Sequence, residues 1–251
     1  MKLAYLGSGS KGNCALFESA GTRVKLDCGF TIKEVIRRME RLDCAPEQID
    51  AILVTHEHSD HFSGVARLAR RYSIPVWLTH GTARGGDTDG VDLHWVNSHE
   101  SFTVGALTIS PMPVPHDARE PCQYVFSDGT FRAGVLTDTG HSTPHIIETL
   151  NGVDVLLLEC NHDLDMLMNG PYPHRLKRRV KGAMGHLSNI QASEILKNID
   201  QSRLKQIFAL HLSDTNNSPD LVIEALENAR SHAGIEITIV DQEAGLGWYS
   251  L

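Results

Sequence analysis

The pattern of apolar and polar positions predicts short strands that alternate with helices along the chain. Apolar residues run together over stretches such as 51–55 (AILVT) and 153–158 (VDVLLL), and Gly, Ser, Asn and Asp lie between such runs, which is typical of strands in a buried sheet. Residues 31–41 and 61–72 have the apolar spacing of helices. Glu34 stands three residues after Thr31 and predicts a capping box at the start of the first of these helices. The pattern therefore predicts an α/β fold.

The same order of elements occurs twice. The first half is rich in strands and ends in helix, and the second half repeats that order with no low-complexity linker between them. Residues 84–100 are rich in Gly, Asp and Asn and are predicted to be an irregular connection. Residues 236–240 are predicted to be the closing strand. The simplest architecture is a single domain over residues 1–251, with two sheets packed face to face and helices on both outer surfaces.

The composition restricts the expected binding partners and cellular location of the protein. The net charge of −8 disfavours broad adhesion to nucleic acid or to anionic membranes, but it does not exclude a local basic patch. The five cysteines are an odd number and contain no C-x-x-C pair, so we expect no disulfide framework. We find neither a signal-peptide core nor an apolar run long enough to span a membrane. We therefore expect a cytoplasmic protein that does not bind membranes.

The segment HEHSDH is the strongest chemical signal in the sequence. His56, His58, Asp60 and His61 are four potential metal ligands within six residues, directly after an apolar run. Imidazole nitrogen and carboxylate oxygen suit zinc, and also manganese or iron. In a tight turn, His56 and His58 can point to one side, and Asp60 and His61 to the other. Because one ion can hardly use all four ligands of so short a loop, the motif predicts two adjacent ions.

Three further ligand-type residues stand at the ends of apolar segments. His116 follows PMPVP, Asp138 ends FRAGVLTD, and His211 ends QIFALH. Each residue alone would be an ordinary polar strand end, but together with HEHSDH they predict a seven-ligand site for two divalent metal ions. A chain of this length can bury a core without a metal, so we expect the site to be catalytic.

The order of these motifs resembles that of a known superfamily. Asp27, HEHSDH, His116, Asp138 and His211 are similar to the five motifs of the metallo-β-lactamase superfamily, over nearly the whole chain. The resemblance implies a four-layer αββα sandwich. It also implies that Asp138 bridges the ions, and that Asp27 orients the metal-binding loop through hydrogen bonds without being a ligand. The first ion would be bound by His56, His58 and His116, and the second by Asp60, His61 and His211.

His186 distinguishes between the activities of this superfamily. It lies in GAMGHLSN, just before a predicted helix that Ser188 and Gln191 begin with a capping box. The free N–H groups at such a helix start favour a phosphate. The alternative is a histidine that only packs at the helix entry. The arrangement is similar to that of the tRNase Z-like nucleases, and this resemblance implies a histidine that assists phosphodiester cleavage.

Four short segments refine the resemblance. LGSGSKGNC, LLLECNHD, GHLSN and HLSDTNNSP are similar to segments of the YycJ (WalJ)-type subgroup of single-domain metallo-β-lactamase exonucleases. This resemblance implies 5′-to-3′ exonuclease activity on DNA. The larger β-CASP nucleases carry an additional domain, for which this chain has no room.

A basic segment, HRLKRRVK, precedes His186 and predicts contacts with nucleic-acid phosphates. The alternative is a solvated charged helix face. Glu159, Asn161 and His162 follow a buried strand and are expected to line the cleft, and a turn near the N-terminus has the composition of a phosphate-binding turn. The predicted substrate-binding residues are Ser8, Ser10, Asn13, Asn161, Lys177, Arg178 and Arg179.

These signals together predict a dinuclear, metal-dependent phosphodiesterase, a 5′-to-3′ exonuclease that acts on DNA by attack of a metal-bound hydroxide. The hydroxide would be held near Asp60 and Asp138, and His186, with His162, would bind the phosphate or protonate the leaving oxygen. Zinc is the expected metal, with manganese or iron as alternatives. The alternative functions are a thioester or lactam hydrolase of the same fold, an RNA-processing nuclease, and a metal-bearing binding protein without turnover. The sequence does not predict the oligomeric state.

Overall fold

The computed structural model describes residues 1–251 and contains fourteen strands. In chain order the strands are β1 (Lys2–Gly7), β2 (Cys14–Ser19), β3 (Thr22–Leu26), β4 (Ala51–Leu53), β5 (Val76–Leu78), β6 (Leu93–Trp95), β7 (Phe102–Val104), β8 (Leu107–Pro113), β9 (Cys122–Ser127), β10 (Arg132–Leu136), β11 (Val155–Glu159), β12 (Gln206–Leu210), β13 (Glu236–Ile239) and β14 (Leu246–Ser250).

Nine α-helices connect these strands, and most of them begin at a Ser, Thr or Asp whose side chain accepts a backbone N–H of the first turn. None of the helices has the length and apolar composition that crossing a membrane requires. The helices are α1 (Ile32–Glu40), α2 (Ser59–Phe62), α3 (Val65–Tyr72), α4 (His80–Gly85), α5 (Pro144–Leu150), α6 (Leu164–Asn169), α7 (His174–Val180), α8 (Asn189–Asn198) and α9 (Pro219–Glu227).

The chain forms two compact units. Unit 1 consists of Met1–Pro113, Ala118–Phe131 and Val240–Leu251, and unit 2 consists of Val114–Asp117 and Arg132–Ile239. No observation tests the prediction of a single domain, which therefore stays a prediction.

Unit 1 contains a seven-stranded sheet with the order β14-β1-β2-β3-β4-β5-β6. The strands from β14 to β3 are antiparallel, and those from β3 to β6 are parallel. A separate antiparallel set, β7-β8-β9, lies in the same unit. The carboxyl ends of β3 and β4 lie at the same edge because these two strands are parallel, and this edge carries Asp27, Thr55 and the HEHSDH segment.

Unit 2 contains four parallel strands in the order β10-β11-β12-β13. Strand β11 is completely buried, as its uninterrupted apolar run predicts for a strand covered on both faces. Its end and the ends of its two neighbours carry Asp138, Glu159 and His211, so the topology brings three ionisable side chains to one edge.

Two helix predictions need correction. The helix predicted over residues 61–72 is divided into α2 and α3, because the Gly64 N–H donates to the Cys28 carbonyl (2.8 Å) and a Cβ at Gly64 would lie 2.1 Å from the Phe30 carbonyl oxygen. The backbone therefore turns away from a continuous helix at this glycine. The predicted capping box of α1 forms only in part: the Thr31 hydroxyl accepts the Glu34 N–H (3.3 Å).

The predictions at the edges of unit 1 also change. The segment 84–100 is not wholly irregular, since it contains the end of α4 and all of β6, which pairs with β5. The strand predicted over residues 236–240 is confirmed as β13, which pairs with β12 at the edge of the parallel strands in unit 2. Strand β14, which is the last strand of the chain and pairs with β1 in unit 1, was missed by the sequence analysis. Its content of Leu246, Trp248 and Tyr249 after the turn residue Gly245 is the signal that could have identified it.

Candidate metal centre

The HEHSDH segment follows β4 and places three imidazole rings close together in unit 1. The centroid of the His56 ring lies 4.6 Å from that of His58 and 4.2 Å from that of His61. His56 and His61 are buried, whereas His58 and Asp60 are partly exposed. The Asp60 carboxylate lies 3.6 Å from His61 Nε2. The structure thus brings the four predicted ligands of this segment together.

Asp27 supports this cluster through hydrogen bonds with Thr55 and His61. Its carboxylate accepts the Thr55 N–H (2.8 Å), the Thr55 hydroxyl (2.9 Å) and the Nδ1–H of His61 (2.7 Å). With Nδ1 donating to Asp27, the His61 ring carries its lone pair on Nε2, where a metal ion would bind. Asp27 has a left-handed backbone (φ 56°), and its carbonyl accepts the Nζ of the buried Lys25 (2.6 Å). This geometry is the orienting arrangement that the sequence resemblance implies.

The loop that the sequence predicts for substrate binding lies against the same cluster. The Asn13 N–H donates to the Asp60 carbonyl (2.7 Å), and its side-chain amide lies 3.0 Å from His61 Nε2. Asn13 and Ser8 are buried, and Ser10 is exposed. Gln242 accepts the Lys11 N–H (2.9 Å) and donates to the Gly12 carbonyl (2.9 Å). Of the three predicted residues in this loop, only Ser10 is exposed to solvent.

In unit 2, four side chains converge at the ends of the parallel strands. Asp138, Glu159, His186 and His211 each offer a ligand atom, and these atoms all lie within 4.8 Å of one another. Asp138 Oδ1 lies 3.5 Å from His186 Nδ1 and 3.4 Å from His211 Nδ1. Asp138 and His211 both have left-handed backbones, with φ of 51° and 56°. Such conformations are disfavoured away from glycine and concentrate at functional sites.

Glu159 is the centre of this group, a role that the sequence analysis did not predict. Its Oε1 accepts the Nδ1–H of His186 (2.8 Å) and of His211 (3.1 Å). Its Oε2 accepts the backbone N–H groups of Thr139 and Leu187 (both 3.2 Å). The one available signal was an acid at the end of an otherwise apolar strand, and a sequence pattern alone does not show which rings such an acid meets.

The charges of this group stabilise one another. Burial disfavours ionisation of Glu159, but the nearby His186 and His211 rings outweigh that penalty and hold the pKa of the carboxyl at about 2. Burial also disfavours the charged form of His186, but Glu159 and Asp138 outweigh it and raise the pKa of His186. Glu159 is therefore an ionised acceptor that fixes both rings.

His116 and His186 are oriented by backbone carbonyls and by the loop before α8. His116 is fully buried, and its Nδ1–H donates to the Gly185 carbonyl (3.0 Å), which leaves the lone pair of the ring on Nε2. The His186 N–H donates to the Val180 carbonyl (2.8 Å), and its ring centroid lies 5.3 Å from that of His116. Ser188 and Gln191 form the predicted capping box at the start of α8.

Asn161 and His162 lie close to this group without joining it. The Asn161 side chain donates to the His211 carbonyl (3.0 Å), and its own carbonyl accepts the Ser213 N–H (2.9 Å). Asn161 therefore holds the backbone of the His211 loop. His162 is buried, and burial lowers the pKa of its ring to about 4, so the ring is neutral at pH 7.

The basic segment forms helix α7, and its cations differ in environment. Lys177 is buried, and its ammonium donates to the Met168 carbonyl at the end of α6 (2.8 Å). Arg179 binds the Asp117 carboxylate (2.6 Å). Arg178 is exposed. Of the three predicted phosphate-binding residues, only Arg178 is both exposed and without a carboxylate partner among the hydrogen bonds and ion pairs of the structure.

Comparison with known proteins is consistent with this geometry. Residues 22–212 match the sequence model of a family described as Beta-lactamase superfamily domain. The chain is 32% identical to exodeoxyribonuclease WalJ of Streptococcus pneumoniae serotype 2 (strain D39 / NCTC 7466), over 96% of this chain and 93% of that protein. It is 29% identical to exodeoxyribonuclease YycJ of Bacillus anthracis, over 94% of this chain and 92% of that protein.

Solved structures establish the fold. The metallo-β-lactamase fold protein YhfI from Bacillus subtilis has a TM-score of 0.77 at 17% identity, covering 99% of this chain and 98% of that chain. The short form of human tRNase Z has a TM-score of 0.68 at 15% identity, and the match covers 100% of this chain and 99% of that chain. The predicted α/β class and metallo-β-lactamase fold are thereby confirmed.

Proposed function

Because the chain belongs to the β-lactamase superfamily, and within it to the family of WalJ and YycJ, it is a metal-dependent hydrolase, and we propose that it cleaves phosphodiester bonds of nucleic acid. The observation that carries this proposal is the contact between Glu159 and His186 (2.8 Å). It fixes a partly exposed imidazole directly before a helix start, beside Asp138 and His211. The two relatives are named exodeoxyribonucleases, so we propose DNA as the substrate. We also propose that cleavage starts at the 5′ end, as the resemblance in the sequence analysis implies.

The donor sets of both units suit divalent cations. Unit 1 supplies imidazoles and the Asp60 carboxylate, and unit 2 supplies Asp138 and two further imidazoles with Nδ1 occupied, so that Nε2 is available. When bound, two ions would lower the pKa of coordinated water and neutralise charge on the phosphoryl oxygens. We propose zinc as the metal. The proposed ligands are His56, His58 and His116 for one ion and Asp60, His61 and His211 for the other, with Asp138 shared.

The other residues of the site would orient groups and move a proton. Asp27 fixes the His61 ring, and Glu159 fixes the His211 and His186 rings. His186 is not among the proposed ligands, and its Nε2 would protonate the leaving 3′-oxygen while Glu159 holds Nδ1. Because the His162 ring is neutral and buried, we propose for it at most a neutral hydrogen bond to the bound phosphate.

The leaving group tests the role of His186. A 3′-oxygen needs a proton as it departs, whereas p-nitrophenolate does not. In a His186→Ala variant we expect oligonucleotide cleavage to fall by about 10²–10⁴-fold, but hydrolysis of the p-nitrophenyl ester of thymidine 5′-monophosphate to fall much less. Metal content measured by atomic absorption should stay at the level of the unsubstituted protein. Equal losses on both substrates would remove the acid role from His186.

The matched control is His58→Ala, which removes a proposed ligand. It should lose metal and both activities together, and full metal content in this variant would contradict the ligand assignment. End-labelled DNA and RNA, single- and double-stranded and with and without a 5′-phosphate, would identify the substrate and the polarity of cleavage. Parallel assays with a nitrocefin-type lactam and a glutathione thioester test the other chemistries of this fold. Turnover of either compound without any nucleic-acid cleavage would overturn the proposal.

A further inference from the structure

The charge of the chain is unevenly distributed around His186. The chain has 31 acidic residues, but none of them lies between Asp165 and Glu194. Five Lys and Arg residues fall in that interval, all of them between positions 175 and 181. This segment is therefore locally positive in a protein whose net charge is −8. Such a contrast directs a polyanion to one part of the surface.

Most of the exposed large hydrophobic side chains lie within this segment or directly before it. Five large hydrophobic side chains of the chain are exposed, and four of them are Leu164, Met168, Met184 and Ile190. Met168 and Met184 are exposed by 43% and 49%, respectively. Single exposed apolar residues need no explanation, but four between positions 164 and 190 indicate an interaction site.

The internal contacts decide which cations are available at this surface. Lys177 is used structurally, because its ammonium holds the end of α6 through the Met168 carbonyl. Arg179 is bound to Asp117, next to the proposed ligand His116. The remaining exposed cations are Arg175, Arg178 and Lys181, which lie at successive helical turns of α7 and just beyond its end.

We propose that this basic and apolar surface, formed by Leu164, Met168, Arg175, Arg178, Lys181 and Met184, binds single-stranded nucleic acid and guides it to His186. The proposal rests on the function proposed above. Duplex nucleic acid presents mainly phosphates, which would leave the apolar side chains exposed. A single strand also presents unpaired bases, which can cover such side chains while the phosphates contact the cations. Along the chain the surface begins just after His162 and ends just before His186, so both of its ends adjoin the candidate site.

Two paired substitutions test this surface. In Arg175→Ala/Arg178→Ala we expect the KM for a single-stranded oligonucleotide to rise about tenfold or more, and the slope of log KM against log salt to become less steep by about 1.4, since each phosphate contact on a single strand contributes about 0.7. The matched control is Arg67→Ala/Arg71→Ala, which removes two exposed arginines from α3 and changes the net charge equally. The control should leave both quantities unchanged.

The apolar part has its own test. Met168→Gln/Met184→Gln keeps the side-chain size and the charge, and we expect it to raise the KM for single strands but not for blunt duplexes. Each of these pairs should change kcat/KM for the p-nitrophenyl ester of thymidine 5′-monophosphate far less than it changes the KM for the oligonucleotide, because the ester is too short to span the surface. Thermal unfolding monitored by circular dichroism would show that the exposed substitutions leave the fold intact.

The outcomes separate this surface from the proposed activity. If the unsubstituted protein cleaves neither the oligonucleotide nor the p-nitrophenyl ester, the proposed function fails. The surface can then still be tested by measuring the binding of a labelled oligonucleotide by fluorescence anisotropy. The proposal would be contradicted if the α3 control raised the KM as much as Arg175→Ala/Arg178→Ala does. It would also be contradicted if the protein bound duplex and single strands with equal affinity. If the arginine pair instead abolished binding to vesicles of phosphatidylcholine and phosphatidylglycerol and left oligonucleotide binding unchanged, the surface would be a membrane contact and the proposal would be wrong.

Discussion

Two buried carboxylates, Asp27 in unit 1 and Glu159 in unit 2, perform the same task in different ways. Each follows or ends a parallel strand, and each accepts a hydrogen bond from the Nδ1 of a histidine, so that Nε2 is available for a metal ion or a substrate. Asp27 holds one ring, that of His61, and receives its other two hydrogen bonds from Thr55. Glu159 holds two rings and two backbone N–H groups that come from three separate segments of the chain.

The two sites differ in how many side chains rely on a single carboxylate for their orientation. Around Asp27, the Thr55 hydroxyl and N–H share the task, and Thr55 also contacts His56 Nδ1 (2.9 Å). Around Glu159, no neutral side chain shares the task, and a single oxygen accepts both His186 and His211. We therefore expect unit 2 to be more sensitive than unit 1 to the loss of its acid.

The largest effect should follow Glu159→Gln. In glutamine one of the two carboxylate oxygens is replaced by an NH₂ group, which is a donor only. This group must face either the two histidine Nδ1 atoms or the backbone N–H groups of Thr139 and Leu187. Either orientation disturbs the site, and we expect kcat for an oligonucleotide to fall by about 10²–10⁴-fold, the range of a lost general acid. Single-turnover cleavage measures this loss. Glu159→Asp, which keeps the charge, should recover part of the rate, and a Gln variant with normal turnover would contradict the orienting role.

A smaller effect should follow Asp27→Asn. The amide nitrogen would face His61 Nδ1 and force the ring to change its tautomer, which removes the lone pair from Nε2. We expect zinc affinity to fall by about 10–100-fold, the usual effect of removing such a partner. Competition with a chelator measures the affinity. If Asp27→Asn reduced turnover more than Glu159→Gln at saturating metal, the contrast between the two units would be wrong.

The sequence could predict the clustering of the proposed ligands because each of them is marked by local signals. HEHSDH follows an apolar run, and Asp138 and His211 end strands whose parallel pairing brings their ends together. Asp27 could be identified through the motif order of the superfamily. These predictions needed only strand ends and residue types, which a sequence displays directly.

The roles of Glu159 and Lys177 could not be predicted from such local signals. The two rings that Glu159 binds lie 27 and 52 residues away along the chain, and only the folded arrangement brings them to one oxygen. Lys177 belongs to a basic segment, but its ammonium binds the Met168 carbonyl, so its charge is not on the surface. The break between α2 and α3 has the same origin, since it depends on the close approach of Gly64 to the Phe30 carbonyl.

A still smaller effect should follow Thr55→Val, which keeps the shape of the side chain. The substitution removes the hydroxyl between Asp27 and His56 and leaves the His56 Nδ1–H without its acceptor. Such a loss costs about 1–3 kcal/mol, so we expect metal affinity to fall by roughly tenfold and the free energy of unfolding to decrease. Chelator competition and urea denaturation measure these changes. Thr55→Ser, which keeps the hydroxyl, is the control and should be nearly unchanged.

The smallest effect should follow Asn161→Ala, and its form separates two roles for that residue. If Asn161 holds the His211 backbone, its loss removes one neutral hydrogen bond, worth about 0.5–1.5 kcal/mol, and should lower kcat by less than about tenfold with KM unchanged. If Asn161 binds substrate, as the sequence predicted, KM should rise with kcat unchanged. Asn161→Asp separates the two roles again, because its carboxylate would repel the His211 carbonyl and lower kcat further than Ala. A rise in KM alone in both variants would assign Asn161 to the substrate and leave Glu159 as the sole support of His211.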